Sequence, residues 1–308
     1  MFSNVKIISW NANGITSHLD ELLYYLKNEP MHPDFICIQE TRIYQDGLPE
    51  VPGFNFVHTF RSNRKGGGSA IYVKEKIDYT KINKISFDDI EIEVSGVNFK
   101  INSNDYITLL SVYVAPNQKL TPLHLNKLII DKNLIIVGDF NAKHTLWGSS
   151  INDYRGKIIN NFLEEKNLVC INKGFGTRLN ASGSLSHLDL SIVSNNLSIC
   201  SECDRIDDLW GSDHYPLQIN CNFKVDKTEY KVNNFNYKKA NWKQYQDSLN
   251  NDLNLDLPII DAEIGYKYFV QALVKARNES IPKYSEVRKH KYSPYWNLQC
   301  KVQWFGLL

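Results

Sequence analysis

Six side chains in this chain are acids, amides or an imidazole standing where apolar runs begin or end. Asn11 follows Val5-Lys-Ile-Ile-Ser-Trp10, and Glu40 follows Asp34-Phe-Ile-Cys-Ile-Gln39. Asp139 and Asn141 follow Leu134-Ile-Ile-Val137-Gly138, while Asp213 and His214 stand just before Leu217 to Cys221. A seventh, Asp189, lies inside Ser186-His-Leu-Asp-Leu-Ser-Ile-Val193, where a buried acid needs partners. Hard divalent cations take oxygen ligands, and Mg²⁺ commonly uses one or two carboxylates with water and substrate phosphate. Hydrolysis of a phosphodiester further needs a base for water, donors to the phosphoryl oxygens and help for the leaving oxygen. A histidine beside a carboxylate could be cationic near pH 7, which suits a phosphate contact. Taken singly, Asn11 reads as a turn residue and Glu40 as an exposed strand-end acid, so everything depends on whether the fold brings these residues together.

The elements that must position them can be read in order. Leu134 to Val137, four consecutive apolar residues, suit a central strand covered on both faces; Gly138 then lets the backbone turn and delivers Asp139 and Asn141 at the carboxyl end, where open α/β sheets place ligands. A first strand over Val5–Trp10 is followed by a helix capped by Ser17, with Leu19, Leu22, Leu23 and Leu26 at helical spacing. Asp34–Gln39, Ser69–Val73, Ile90–Lys100, Tyr106–Val114 and Ser186–Val193 read as strands, with Tyr113 as core filler on residue type alone. Thr121-Pro122 predicts a helix running to about Asp131, and Arg155-Gly156 opens another carrying Ile158, Ile159, Phe162 and Leu163 on one face. Between Arg61 and Gly68, three glycines adjoin Arg61, Arg64 and Lys65. The stretch reads first as a hairpin turn, and the glycines and cations together could also admit a phosphate backbone.

Composition narrows the class. The 308 residues are 43% hydrophobic and 22% charged, enough for one large core or two smaller ones. No apolar run approaches the length of a membrane span, and the N-terminus enters a strand with no signal-peptide pattern. Six scattered cysteines fit a reducing compartment; Cys200-Ser-Glu-Cys203 lacks the second pair a zinc site would need. The net charge of +1 is divided unevenly. From Lys224 onward there are fourteen Lys or Arg against nine Asp or Glu, a balance of +5, leaving −4 ahead of it. Strand-like runs stop at the same point, and two helices follow, near Trp242–Leu253 and Asp261–Ser280.

The blocks Ser9-Trp-Asn11-Ala-Asn13-Gly14, Gln39-Glu40, Gly138-Asp-Phe-Asn141, Ser186-His-Leu-Asp189 and Ser212-Asp-His-Tyr-Pro216 occur in the order of the endonuclease/exonuclease/phosphatase superfamily, which includes deoxyribonuclease I and the apurinic endonucleases. A finer resemblance is to the endonuclease domain of non-LTR retrotransposons of the jockey-like group, carried by Tyr113-Val-Ala-Pro-Asn117, Asn141-Ala-Lys-His144 with Trp147-Gly148, and Arg155-Gly156. In the tail, Phe235-Asn236, Ala240-Asn-Trp242 and Ser293-Pro-Tyr-Trp-Asn297 resemble the connector to the reverse transcriptase of those elements. No Tyr-x-Asp-Asp polymerase motif is present.

The resemblance implies an α/β fold, a four-layer α/β sandwich of the deoxyribonuclease I type with two mixed sheets flanked by helices. Residues 1–223 would form the catalytic domain and 224–308 a helical connector. By the same resemblance Glu40 is the direct Mg²⁺ ligand, with Mn²⁺ as a substitute, and Asn11 and Asp213 complete the metal end. Asp139 handles the attacking water, Asn141 holds the phosphate or nucleophile, His214 binds phosphate with Asp189 orienting it, and Tyr113 is the phosphate-side tyrosine. Asn13, Arg61, Arg64, Lys65, His144 and Thr177 are expected to contact substrate. The implied activity is Mg²⁺-dependent nicking of double-stranded DNA in the nucleus, with element RNA reached only through a fused or separate reverse transcriptase. An abasic-site endonuclease or another phosphoesterase on the same scaffold, and a catalytically silent DNA-binding module, stay open beside it.

Overall fold

The computed structural model describes residues 5–29, 32–44, 47–61, 66–83, 85–87, 90–101, 105–223, 225, 235–253 and 262–282. Along the chain these form β1 (Val5–Asn11), α1 (Ile15–Asn28), β2 (Phe35–Gln39), β3 (Phe54–Thr59), β4 (Ser69–Lys74), β5 (Tyr79–Lys81), β6 (Ile92–Lys100) and β7 (Tyr106–Val114). They continue as α2 (Pro122–Asn126), β8 (Leu134–Asp139), α3 (Tyr154–Glu165), β9 (Leu168–Cys170), β10 (Arg178–Leu179), β11 (Leu185–Ser186), β12 (Asp189–Ser194), α4 (Asn195–Ser198), β13 (Ser201–Arg205) and β14 (Leu217–Cys221). The helices α5 (Trp242–Asp252) and α6 (Ala262–Ser280) complete the set. The chain divides into two compact units, 1–229 and 230–308.

The first unit is a four-layer sandwich. Two six-stranded mixed sheets, ordered β13-β14-β1-β2-β4-β3 and β5-β6-β7-β8-β12-β9, lie face to face. Each sheet has one parallel pair at its centre, β1 with β2 and β7 with β8, among antiparallel neighbours. Alternate residues of the central strands enter the core between the sheets: Val5 and Ile7, Phe35 and Cys37, Leu109, and Ile135 and Val137. The intervening residues face outward. Ile8, Trp10, Ile36 and Ile38 share a second core with Leu22 and Leu26 of α1. Leu134, Ile136, Leu110 and Val112 share a third with Ile159 and Phe162 of α3. Because β8 is covered on both faces it has no polar side, hence its unbroken apolar run.

Both central parallel pairs end at the same edge of the sandwich. Asn11 is opposite Gln39 in one sheet, and Tyr113 is opposite Asp139 in the other. Just below that edge the inter-sheet core turns polar. Gln39 donates to the hydroxyls of Ser111 (2.9 Å) and Ser9 (3.4 Å), Ser69 donates to the Ser111 carbonyl, and Ser95 donates to the Ser69 carbonyl. These bonds tie the two sheets together beneath the edge, and small side chains let the strands approach.

Several local expectations are revised. Gly138 makes no turn: it stays within β8, paired with Val112 and Leu190, and a Cβ there would lie 1.9 Å from the Val112 carbonyl oxygen. Its glycine is required by close strand approach, and the chain bends only after Asp139. Helix α1 starts from Gly14 rather than being capped by Ser17, and kinks at His18. Helix α2 ends at Asn126 instead of near Asp131, although the Thr121 cap and Pro122 are as expected. The Ser186–Val193 run is two strands, so Asp189 begins β12 instead of interrupting it.

In the second unit α5 and α6 pair side by side. Asn241 caps α5 by accepting from the Gln244 N–H (3.1 Å), and Ser248 and Asp252 of α5 bond to Glu279 and Lys275 of α6 at 2.9 Å each. The connector-like Ser293–Asn297 stretch lies outside the described residues.

Candidate active site

The sandwich edge gathers most of the chemically capable residues. Asn11, from the end of β1, reaches across the sheets: its Nδ2 donates to Glu40 Oε1 (3.1 Å) and to Asp139 Oδ2 (2.9 Å). Its Oδ1 accepts from the Asn13 N–H (3.0 Å), so in this arrangement the amide presents N–H, not oxygen, to the two carboxylates. Asn141 also donates to Asp139 Oδ2 (3.0 Å), and its backbone N–H bonds Asp139 Oδ1 (3.0 Å). Tyr113 hydrogen-bonds Glu40 through its side chain. Burial, with Glu40 and Asp139 nearby, pushes the Tyr113 hydroxyl far above the ordinary tyrosine range, so it stays a donor at any working pH.

His214 and Asp189 form the other half. His214 Nδ1 is 2.8 Å from Asp189 Oδ2, and both side chains are almost fully buried, at 3% and 4% exposure. His214 Nε2 is 4.0 Å from Asp139 Oδ2, too long for a hydrogen bond, so Nε2 remains able to serve a bound oxygen. Burial alone would lower His214. Asp189 outweighs it by charge and hydrogen bond, with smaller help from Asp139 and Asp213, and the pKa rises from 6.5 to about 9. Asp139 moves upward as well, through burial and then the Asp189 charge, opposed by His214 and the Asn141 N–H. The result is an imidazolium beside a carboxylate more basic than usual, a suitable pairing of phosphate donor and proton acceptor.

Backbone geometry aims these side chains. Asn13, Glu40, Arg42 and Asn141 all have positive φ, between 48° and 56°. The left-handed conformation is uncommon outside glycine and asparagine and concentrates at functional sites. Serine 212 holds the loop under His214: its Oγ donates to the Asn11 carbonyl (2.7 Å) and accepts from the His214 N–H (3.2 Å). Trp10 Nε1 donates to the His214 carbonyl (3.2 Å).

Asp139, Asp189 and His214 offer ligand atoms within 4.8 Å of one another, which by proximity alone is a possible metal group. The chemistry of the donors favours a different place. His214 is committed to Asp189 and holds its proton strongly, whereas Glu40 and Asp139 converge on one Asn11 amide and supply the oxygen a hard cation prefers. The residues therefore fit a divalent metal at the Glu40 end.

Other expected residues sit elsewhere. Asp213 gives its Oδ2 to both Nε and Nη2 of Arg178, each at 2.9 Å, so its partner is a cation and not the Glu40 group. Arg61 is no free phosphate contact: its side chain is buried, with Nε 2.6 Å from Glu93 Oε1 and Nη1 3.7 Å from Glu91 Oε2. Thr177 is fully buried and cannot meet substrate; its Oγ1 accepts the Leu188 and Asp189 N–H groups at 3.0 and 3.1 Å, fixing the start of β12. His144 caps the turn Thr145–Trp147 and stacks near Trp147. Asn13 receives Arg42, which also lies 3.3 Å from Glu40 Oε2. Arg64 and Lys65 fall outside the described residues. Sequence reading gave no role to Arg42, Arg178 or Ser212, although Arg42 stands two residues after Glu40 and Ser212 opens the block that carries Asp213 and His214.

Comparison with known proteins agrees with this fold. The family model for endonuclease-reverse transcriptase matches residues 107–218. The RNA-directed DNA polymerase of transposon BS from Drosophila melanogaster is 24% identical over 225 residues, covering 70% of this chain and 24% of that protein. The RNA-directed DNA polymerase of the mobile element jockey from the same organism is 27% identical over 158 residues, 50% of this chain and 17% of that protein. The chain thus spans a quarter or less of the length of these relatives. The endonuclease domain of TRAS1, a telomere-specific non-LTR retrotransposon, superposes with a TM-score of 0.59 at 21% identity, covering 71% of this chain and 98% of that one. The sandwich, the family-model match over 107–218 and these relatives together show a chain that resembles the endonuclease/exonuclease/phosphatase superfamily, and within it the endonucleases of non-LTR retrotransposons.

Proposed function

We propose that residues 1–223 are a divalent-metal-dependent DNA endonuclease that nicks target DNA. The observation that carries this reading is the convergence of Asn11 and Asn141 on Asp139, with the His214–Asp189 pair beside it, at one edge of both sheets. Asp139 takes a proton from the attacking water as its oxygen adds to phosphorus. The P–O3′ bond breaks in line, leaving a 5′-phosphate and a 3′-oxygen that is protonated by solvent. His214 donates from Nε2 to a phosphoryl oxygen, Asp189 keeps that imidazole charged and oriented, and Asn141 and Tyr113 provide further donors. Glu40 is the carboxylate that would hold Mg²⁺ or Mn²⁺, whose chemistry there is to neutralise charge developing on the phosphoryl and leaving oxygens.

A nick with a free 3′-hydroxyl is what a reverse transcriptase needs as primer, which accords with the named relatives. In this reading the 224–308 segment is a connector, the substrate is double-stranded nuclear DNA, and the polymerase is fused or separate. The test is conversion of supercoiled plasmid to open circle in Mg²⁺, with end-group analysis. Wild type is expected to leave 3′-hydroxyl ends. His214→Ala should lose activity by about 100-fold or more with its fold intact, and Glu40→Gln should need far more metal for the same rate. Undiminished nicking by folded His214→Ala would refute the mechanism. Cleavage confined to abasic oligonucleotides, or binding without cleavage in either metal, would overturn the assignment.

A further inference from the structure

Arg155-Gly156 opens α3, and the proposed chemistry makes no use of it. Arg155 is 7% exposed, and no ion pair holds its guanidinium among the described residues. It is surrounded by backbone carbonyl oxygens instead. Nη1 donates to Phe140 (2.9 Å) and Asn141 (3.2 Å), while Nη2 donates to Ala115 (3.1 Å), Pro116 (2.8 Å) and Gln118 (2.5 Å). The five acceptors come from two loops. One follows β8 and carries Asn141 away from Asp139; the other follows β7 directly beyond Tyr113. Asn141 joins the same pair of segments, donating from Nδ2 to the Val114 carbonyl (3.1 Å).

The start of α3 is built to bring this side chain into place. Asp153 accepts from the Gly156 N–H (2.6 Å) and the Lys143 N–H (3.1 Å), and its own N–H bonds the Lys143 carbonyl (2.9 Å). A Cβ on Gly156 would lie 2.0 Å from that carbonyl oxygen. The helix terminus therefore docks on the loop after Asn141, and only glycine permits the approach. A guanidinium can serve carbonyls on both sides at once through its planar fan of donors, which an ammonium on a flexible stem does less completely.

We propose that Arg155 is a positioning residue for the nuclease reaction: it locks the loops after β7 and β8 to each other, and so sets Tyr113, Asp139 and Asn141 in one frame. It touches no substrate. The assignment rests on the nuclease reading for its kinetic consequence, but the clamp itself can be tested without turnover. Misplacement of catalytic groups by about an ångström can lower a rate by about 100-fold. Arg155→Met is expected to lower kcat by about that factor while KM changes by less than about threefold, because groups acting in the transition state are displaced and DNA-binding surface is retained. Arg155→Lys, with charge and three donors, should recover about tenfold of the loss.

The experiment is plasmid nicking at matched folded concentration for wild type, Arg155→Met and Arg155→Lys, beside amide hydrogen exchange of residues 115–118 and 140–143. Faster exchange confined to both segments, with the kcat loss and the lysine rescue, is the expected result. Wild-type kcat and unchanged exchange in Arg155→Met overturn the proposal; if that variant does not fold, the same result in Arg155→Lys does so. Loss of activity with unchanged exchange also overturns it. Should wild type fail to nick, the nuclease reading fails, and exchange alone decides the clamp: protection unaltered by Arg155→Lys rejects it.

Discussion

Replacing Asp189 by Asn isolates the electrostatic half of the site. The amide keeps the shape of the group 2.8 Å from His214 Nδ1 and removes its charge. Asp189 is the principal influence holding His214 at about 9 against burial. With a pKa of about 9 the imidazole is roughly nine-tenths or more cationic at pH 7.5; at its ordinary 6.5 the cationic share is about one-tenth. The variant should therefore nick at least about tenfold more slowly at pH 7.5. Its alkaline limb should move from near pH 9 to near 6.5 or below. Stability should follow with the same sign. A folded-state pKa raised above the unfolded value stabilises fully below about pH 6.5, and the gain is lost as pH rises through about 9. A difference of this size corresponds to up to about 3 kcal/mol, which Asp189→Asn should abolish. The assays are nicking rate against pH in saturating Mg²⁺ and urea unfolding at pH 6, 7.5 and 9. An alkaline limb that stays near pH 9 in the variant would show that Asp189 does not hold the charge on His214.

Two further substitutions probe the frame. Gly138→Ala drives a methyl into the Val112 carbonyl across the β7–β8 pair, and urea unfolding should show a loss of about 3 kcal/mol or insoluble protein. Thr177→Val leaves the Leu188 and Asp189 N–H groups without their acceptor, at about 1–3 kcal/mol for each buried group, so both stability and nicking should fall, whereas a residue contacting only DNA would change KM alone.

What could be read from sequence was what apolar periodicity exposes. Central strands such as β1, β2, β7 and β8 announce themselves because both faces are buried, and their functional residues follow directly at the ends. Edge strand β3 escaped because Asn55, Phe56 and His58 give it no clean alternation, and β13 because Glu202 and Asp204 alternate with only small inward residues. The reading of side chains failed where a partner lies far along the chain. Arg61 looked like a phosphate contact until Glu93 proved to sit against it, and Thr177 looked like a loop reader while serving Asp189. The two units meet in sequence at 229 and 230, near the change of composition that begins at Lys224.

The left-handed residues bear on how such a site endures. Glu40 at φ 49° holds a conformation costing an ordinary side chain about 1–2 kcal/mol, and Asn13 and Asn141 hold it more cheaply. Glycine at position 40 would relieve that strain, but it would remove the carboxylate that accepts from Asn11 and, in the proposed function, would hold the cation. At position 40, backbone stability and the chemistry of the edge therefore pull in opposite directions, and the fold keeps the side chain against its own conformational preference.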